Sequence, residues 1–136
     1  MGECTLCPRN CHSDRINKKT GYCGMDNTVR VARAALHMWE EPCISGEKGS
    51  GAVFFTGCGL KCCFCQNREI AIGKSGLEIS VDRLGEIFLE LEEKGAANIN
   101  LVTGAHFVPQ IISALELARK KGMSLPIIYN SSGYEK

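Results

Sequence analysis

Cys58, Cys62 and Cys65 stand in a C-x3-C-x2-C arrangement within Cys58-Gly-Leu-Lys-Cys62-Cys63-Phe64-Cys65. Three thiolates on one short loop can hold three irons of a 4Fe–4S cube, leaving the fourth iron open to another molecule. Soft thiolates also suit zinc, so the spacing does not choose the metal unaided. The bland alternative is a set of packed structural thiols, but four cysteines in eight residues exceed what packing asks for. Cys63 falls outside the spacing and reads as a packed thiol. A second set, Cys4-x2-Cys7-x3-Cys11-x11-Cys23, offers four more thiolates. Zinc commonly takes four such ligands, and a second iron–sulfur cluster is chemically open to the same set. Unligated thiols in a small lobe are the alternative. Metal binding there would act structurally, ordering a segment that lacks its own core.

The elements that must position these thiols follow from patterning. AVFFTG, directly before Cys58, is a compact apolar run with β-branched and aromatic residues and reads as a buried strand. Ser80 is an N-cap, and behind it Leu84, Ile87, Phe88 and Leu91 mark one face of a helix. Glu90 and Lys94 form an i,i+4 pair, and Gly95 suits the stop. NINLVTG is a second strand. Pro109 opens a second helix with Ile111, Ile112, Leu115 and Ala118 on its inner face, and PIIYNSSG is a third strand. Alternating strands and helices predict an α/β fold of parallel β/α units, with the active site at strand carboxyl ends. The division expected is 1–51, a cysteine-rich N-terminal lobe and connector, and 52–136, the first three β/α units. Strand starts at about residues 52, 98 and 126 leave a full barrel short by roughly 80 residues, so an incomplete and inactive fragment is expected.

Composition narrows the classes. The chain has 136 residues, 16 basic against 15 acidic, for a net charge of +1, which excludes a polybasic nucleic-acid coat and an acidic tail. No nucleic-acid partner is expected. No apolar run approaches the ~18 residues of a membrane span, and MGECTLCPRN carries charge where a signal peptide needs an apolar stretch. Gly2 is no myristoylation site, because Leu6 stands where Ser or Thr is required. A cytoplasmic location without membrane attachment follows as the expectation. Nine cysteines, an odd number, in a reducing compartment point to metal or redox chemistry rather than disulfides.

The triplet, with Phe64 before its third cysteine and Gly57 before its first, resembles the radical S-adenosylmethionine (SAM) superfamily. FFTGCGLKCCFCQN resembles the branch related to pyruvate formate-lyase activating enzyme. CTLCPRNC, LHMWEEPCISG and IYNSSGYE resemble an uncharacterised group within that branch. The resemblance implies the N-terminal part of a partial (β/α)6 barrel, preceded by the cysteine-rich lobe. It implies an oxidoreductase whose 4Fe–4S cluster, on Cys58, Cys62 and Cys65, binds SAM and cleaves it reductively to a 5′-deoxyadenosyl radical that abstracts hydrogen. A low-potential electron donor such as flavodoxin or ferredoxin is implied too. In activating enzymes the substrate is a glycine of a partner protein; no residue of this chain selects it. Phe64, Cys65 and Gln66 match the segment that touches SAM around adenine. Thr103-Gly104-Ala105-His106 replaces the family's Gly-Gly-Glu, so its backbone is the expected contact. Asn130 and Ser132, closing the third strand, are expected to face SAM's ribose or carboxylate.

His106 reads either as a hydrogen-bonded loop histidine or as a SAM or substrate contact. His37 and Trp39 read as packing residues, Glu40 and Glu41 as a solvated turn, His12 as a surface histidine and Arg9 as water-facing. The alternative function is a non-enzymatic zinc or iron–sulfur module. An open fourth iron at the end of a parallel strand favours the enzyme.

Overall fold

The computed structural model describes residues 3–136; Gly2 lies outside the described residues. Its strands are β1 (Val29–His37), β2 (Ser50–Phe55), β3 (Leu77–Ile79), β4 (Ile99–Val102) and β5 (Ile127–Asn130). Its helices are α1 (Pro42–Ser45), α2 (Arg68–Ala71), α3 (Val81–Glu93) and α4 (Val108–Lys120). The result is a mixed α/β fold around one five-stranded sheet, in the order β3-β1-β2-β4-β5. The three strands expected from the apolar runs form its parallel half, β2 beside β4 beside β5. No helix among the described residues is long and apolar enough to cross a membrane.

α3 starts where its N-cap predicts, the Ser80 hydroxyl accepting the Arg83 amide N–H at 3.1 Å. Leu84, Phe88 and Leu91 are buried against the sheet, with Phe55, Ile99, Leu101 and Phe107. Each large side chain so buried contributes about 1.5–3 kcal/mol of transfer free energy. On α4 the buried stripe is Ile111, Ala114 and Ala118. Ile112, expected inside, is 51% exposed, because Ala114 presents the face on which α3 packs closely. Glu90 pairs with Arg83 rather than Lys94; the same guanidinium reaches Glu86 at 3.1 Å, so one arginine links two carboxylates.

Two strands lie outside the expected pattern. β1 falls within the stretch read as connector, and pairs antiparallel with β2 on one side and β3 on the other. Arg30 and Glu78 join β1 to β3 through an ion pair of 2.7 Å. β1 carries a bulge: Val31 sits opposite Phe55, yet Arg33 sits opposite the adjacent Phe54. One extra residue, Ala32, therefore changes which face the strand presents. Val29 and Val31 point into the helix-covered core before the bulge, and Ala34 and Leu36 pack against it afterwards. Arg33, Ala35 and His37 fall on the other face, with Phe54 and Ala52.

The lower end of that other face is closed by α1. The Ser50 hydroxyl donates to Asn98 Oδ1 at 2.6 Å, and Asn98 Nδ2 donates to the Ile44 carbonyl at 2.8 Å. Ser50 and Asn98 are buried, so both bonds are shielded from water. Asn98→Ala strands the Ser50 hydroxyl and the Ile44 carbonyl, and is expected to cost about 2–3 kcal/mol in urea unfolding. A loss below about 0.5 kcal/mol would show that α1 is held by other contacts.

Candidate functional site

The thiol loop begins where β2 runs out, and each residue of the exit is fixed to a different part of the chain. The Thr56 N–H donates to the Arg30 carbonyl at 2.9 Å, the Gly57 N–H to Ile70 at 2.9 Å and the Cys58 N–H to Cys23 at 3.3 Å. The Thr56 hydroxyl donates to the Ser75 carbonyl at 2.8 Å. Gly57 has φ +89°, and a methyl group there would lie 2.8 Å from the Cys23 carbonyl oxygen and 2.5 Å from the Met25 side chain. Only glycine meets both conditions.

His106 braces the same point. Its Nε2 lies 2.7 Å from the Thr56 carbonyl oxygen, which can only accept, so Nε2 carries the proton. Burial, with the positive charge of Arg15 adding to it against the Thr56 hydrogen bond, pushes the imidazole down from 6.5 to about 4. Of the two roles considered for His106, the structure displays the hydrogen-bonded one. Gly104 supports it from behind: a methyl group there would sit 2.7 Å from Ile111 and 3.4 Å from the Phe55 ring.

Cys58, Cys62 and Cys65 are free, partly exposed thiols on the loop between β2 and α2. Leu60 donates its amide to Cys58 Sγ at 3.4 Å, and Cys65 donates its own to the Cys62 carbonyl at 3.2 Å. Among the described residues, no three His, Cys, Asp or Glu side chains are gathered as an ion requires. The chemistry of the donor set still fits an iron–sulfur cluster: three soft ligands on one loop, one of them already accepting an amide hydrogen bond. Cys63, expected to be packed, is exposed.

An open cleft of about 860 Å³ joins the loop to the sheet. Cys62, Phe64, Cys65 and Gln66 line it from the loop, and Thr103 and Asn130 from the ends of β4 and β5. Six of the residues singled out in the sequence thus meet in one place. Cys58 opens on a smaller cavity of about 70 Å³ that Cys65 and Thr103 share. Ser132 and His106 line a third, of about 30 Å³, with Cys7, Cys23 and Cys58. Thr103 borders all three and has φ +60°, a left-handed conformation that costs a β-branched residue about 1–3 kcal/mol. The cleft's remaining wall is β1 and the turn after it, which supply Arg33, His37, Trp39 and Glu40. Trp39 is not packed, being 88% exposed. Glu40 is not a solvated residue; its carboxylate lies 4.0 Å from His37 Nε2.

The N-terminal segment lies against the loop. Arg9 does not face water alone: its Nε donates to the Gly59 carbonyl at 3.0 Å, and its guanidinium stacks 4.2 Å from the Tyr22 ring. Arg15 is buried, donates through Nε to the Asp26 carbonyl at 3.0 Å and reaches Cys4 Sγ at 3.7 Å through Nη1. A methyl group at Gly21 would touch Cys11 Sγ at 3.1 Å and Cys23 Sγ at 3.6 Å, so both sulfurs flank one turn. Burial pushes the Cys23 thiol up. Burial also opposes ionisation of Cys11, but hydrogen bonds from the Ser13 and Tyr22 backbone and from Cys4 outweigh it and lower its pKa. His12 is exposed and 3.2 Å from Glu3, as a surface histidine should be.

A loop of thiols at the carboxyl end of a parallel strand, opening on a cleft along the sheet, defines an α/β protein that carries its chemistry at strand ends. The profile of the radical SAM superfamily matches residues 52–135, and the chain belongs to that superfamily. It is 25% identical over 138 aligned residues to the uncharacterized protein MJ0674 of Methanocaldococcus jannaschii, a match covering 96% of this chain and 39% of that protein. The chain thus spans well under half of that relative's length. No solved structure matches it.

The His106 brace makes stability depend on pH. The folded state keeps the imidazole neutral down to about pH 4, while the unfolded chain takes up a proton near 6.5. The contribution is complete above the unfolded value and is lost as pH falls toward about 4. It is on the order of 3 kcal/mol at most. Melting temperature is expected to fall over this window, and His106→Gln to flatten that fall. An unchanged slope in the variant would place the pH dependence elsewhere.

Proposed function

We propose that the chain is the SAM-binding portion of a radical SAM enzyme related to pyruvate formate-lyase activating enzyme. One observation carries the reading: the cleft bordered by Cys62 and Cys65 is also bordered by the ends of the neighbouring parallel strands. In this reading Cys58, Cys62 and Cys65 hold a 4Fe–4S cluster within a partial (β/α)6 barrel. When bound, the cluster supplies the electron that cleaves SAM to methionine and a 5′-deoxyadenosyl radical. A flavodoxin or ferredoxin is the class of donor this chemistry needs.

The chain's own residues have separate tasks. The amides of Thr56, Gly57 and Cys58 fix where the first ligand leaves the strand. Phe64 and Gln66 offer a ring and a polar side chain to the adenine. Thr103 turns its backbone toward the cleft at the cost of a strained φ, and the Asn130 amide reaches the ribose or carboxylate from the end of β5. Phe54 and Val102 form an apolar floor that runs from these contacts toward β1.

The N-terminal thiols form a second site in this reading. Cys4 Sγ lies 3.7 Å from the buried Arg15, Cys11 and Cys23 flank the turn at Gly21, and backbone groups of Ser13 and Tyr22 already bond Cys11. With Cys7 they supply a structural zinc ion or a second iron–sulfur cluster that stiffens the lobe.

Anaerobic reconstitution, followed by iron counting and electron paramagnetic resonance with and without SAM, tests both parts. Cys58→Ala, Cys62→Ala and Cys65→Ala are each expected to lose the cluster and the SAM-dependent spectral shift, whereas Cys63→Ala keeps them. A variant lacking the triplet is expected to retain one metal site. Full iron loading in Cys62→Ala would overturn the ligand set, and a triplet variant with neither zinc nor iron would remove the second site.

A further inference from the structure

From the wall of the cleft that β1 supplies, we infer a subsite for a substrate carboxylate, with Arg33 as its anchor. The inference rests on the proposed SAM site for its meaning, but its anchor, Arg33, lies outside that site. Arg33, Phe54, Val102 and Asn130 are in register across four neighbouring strands and form one transverse row facing the cleft. At a strand spacing of about 4.8 Å, Arg33 and Asn130 stand ~14 Å apart, with the two apolar residues between them. A ligand lying along that row meets a cation at one end, an apolar floor in the middle and the proposed SAM contacts at the other.

The cation is not engaged elsewhere. Arg30, three residues earlier on the same strand, is bound to Glu78 at 2.7 Å. Arg33 has no hydrogen-bond or ion-pair partner among the described residues. The bulge at Ala32 is what directs it to the cleft; in a regular strand Arg33, two residues after Val31, would fall on the face of Val31. His37 follows four residues later on the same face, with the Glu40 carboxylate 4.0 Å from its Nε2. A planar guanidinium offers two parallel N–H groups to the two oxygens of a carboxylate, and the His37 imidazole, on the same face, adds a further donor.

The rim describes the rest of the ligand. Trp39 is 88% exposed and Phe64 is 87% exposed, and both line the cleft. Two exposed aromatic rings above an apolar floor favour a flat or apolar body. The ligand class is therefore a carboxylate carried on an apolar or aromatic body, with its reacting C–H directed away from Arg33 toward the Asn130 end.

Trp39 is the sole tryptophan of the chain, so its emission reports on this cleft alone. The reconstituted protein is titrated with phenylacetate and with phenylacetamide, its neutral analogue. Phenylacetate is expected to change the emission saturably, and phenylacetamide to bind about tenfold or more weakly. Arg33→Gln is expected to weaken phenylacetate about tenfold or more, and Arg30→Gln, off the cleft, less than about twofold. The phenylacetate response is expected to persist when SAM is present at saturation. Equal binding of acid and amide, no response at all, an unaffected Arg33→Gln variant, or displacement by SAM would each overturn the subsite. Displacement would assign Arg33 to SAM itself. Failure of SAM to shift the reduced-cluster spectrum of the wild-type protein sinks the proposed function instead, and leaves the Trp39 titration to be judged alone.

Discussion

The exit of β2 is the constraint on which the rest of the molecule depends. Over three residues, Thr56 to Cys58, the backbone amides bond in turn to β1, to α2 and to the N-terminal segment, and the Thr56 carbonyl takes the imidazole of His106. Four parts of the chain distant in sequence therefore converge on one point. A buried strand end must satisfy its amides, and here it does so by recruiting outside segments rather than a continuing ladder. The cost is conformational: Gly57 adopts a left-handed φ, and Gly104 lets the 3₁₀ turn that carries His106 lie against Phe55 and Ile111. What is obtained is a first thiol, Cys58, whose origin is fixed.

The N-terminal segment takes part in this arrangement instead of trailing from it. The Cys23 carbonyl accepts from Cys58, Arg9 grips the Gly59 carbonyl, and Lys61 lies 5.1 Å from the Tyr22 ring. Two cysteine-bearing segments are thus in backbone contact, and order in one constrains the other. Arg15 supplies the electrostatic side. Its buried guanidinium has backbone carbonyl oxygen and the Cys4 sulfur for partners, and its positive charge partly offsets the burial that pushes the Cys23 thiol up.

Much of this could be read in the sequence, and the exceptions have physical causes. β2, α3, β4, α4 and β5 follow plain periodicities, with Ser80 and Pro109 marking the helix starts, so pattern alone located them. The thiol triplet was legible from spacing, and Thr103 and Asn130 from their places at strand ends. β1 was not, because its apolar residues fall at 29, 31, 34 and 36, and the parity changes at the bulge. A strand that switches faces reads as no strand at all. With β1 unseen, Arg33, His37 and Trp39 had no wall to belong to, and Trp39 defaulted to packing. Arg9 was missed for a different reason: its partners, Gly59 and Tyr22, come from separate segments, and no local pattern encodes that meeting.

The bulge also sets how this protein can tolerate change in length. Deleting Ala32 removes the unpaired residue, so that Arg33 follows Val31 directly, the two opposite Phe54 and Phe55, and both halves of β1 keep the faces they have now. A residue inserted elsewhere in β1 has no such slack and turns over the strand on one side of it: in one outcome Val29 leaves the core for the cleft; in the other His37 is driven into the core beneath α3. Among related chains, position 32 is therefore where β1 can lose a residue, while the turn at 38–41, which carries no register, can absorb insertions.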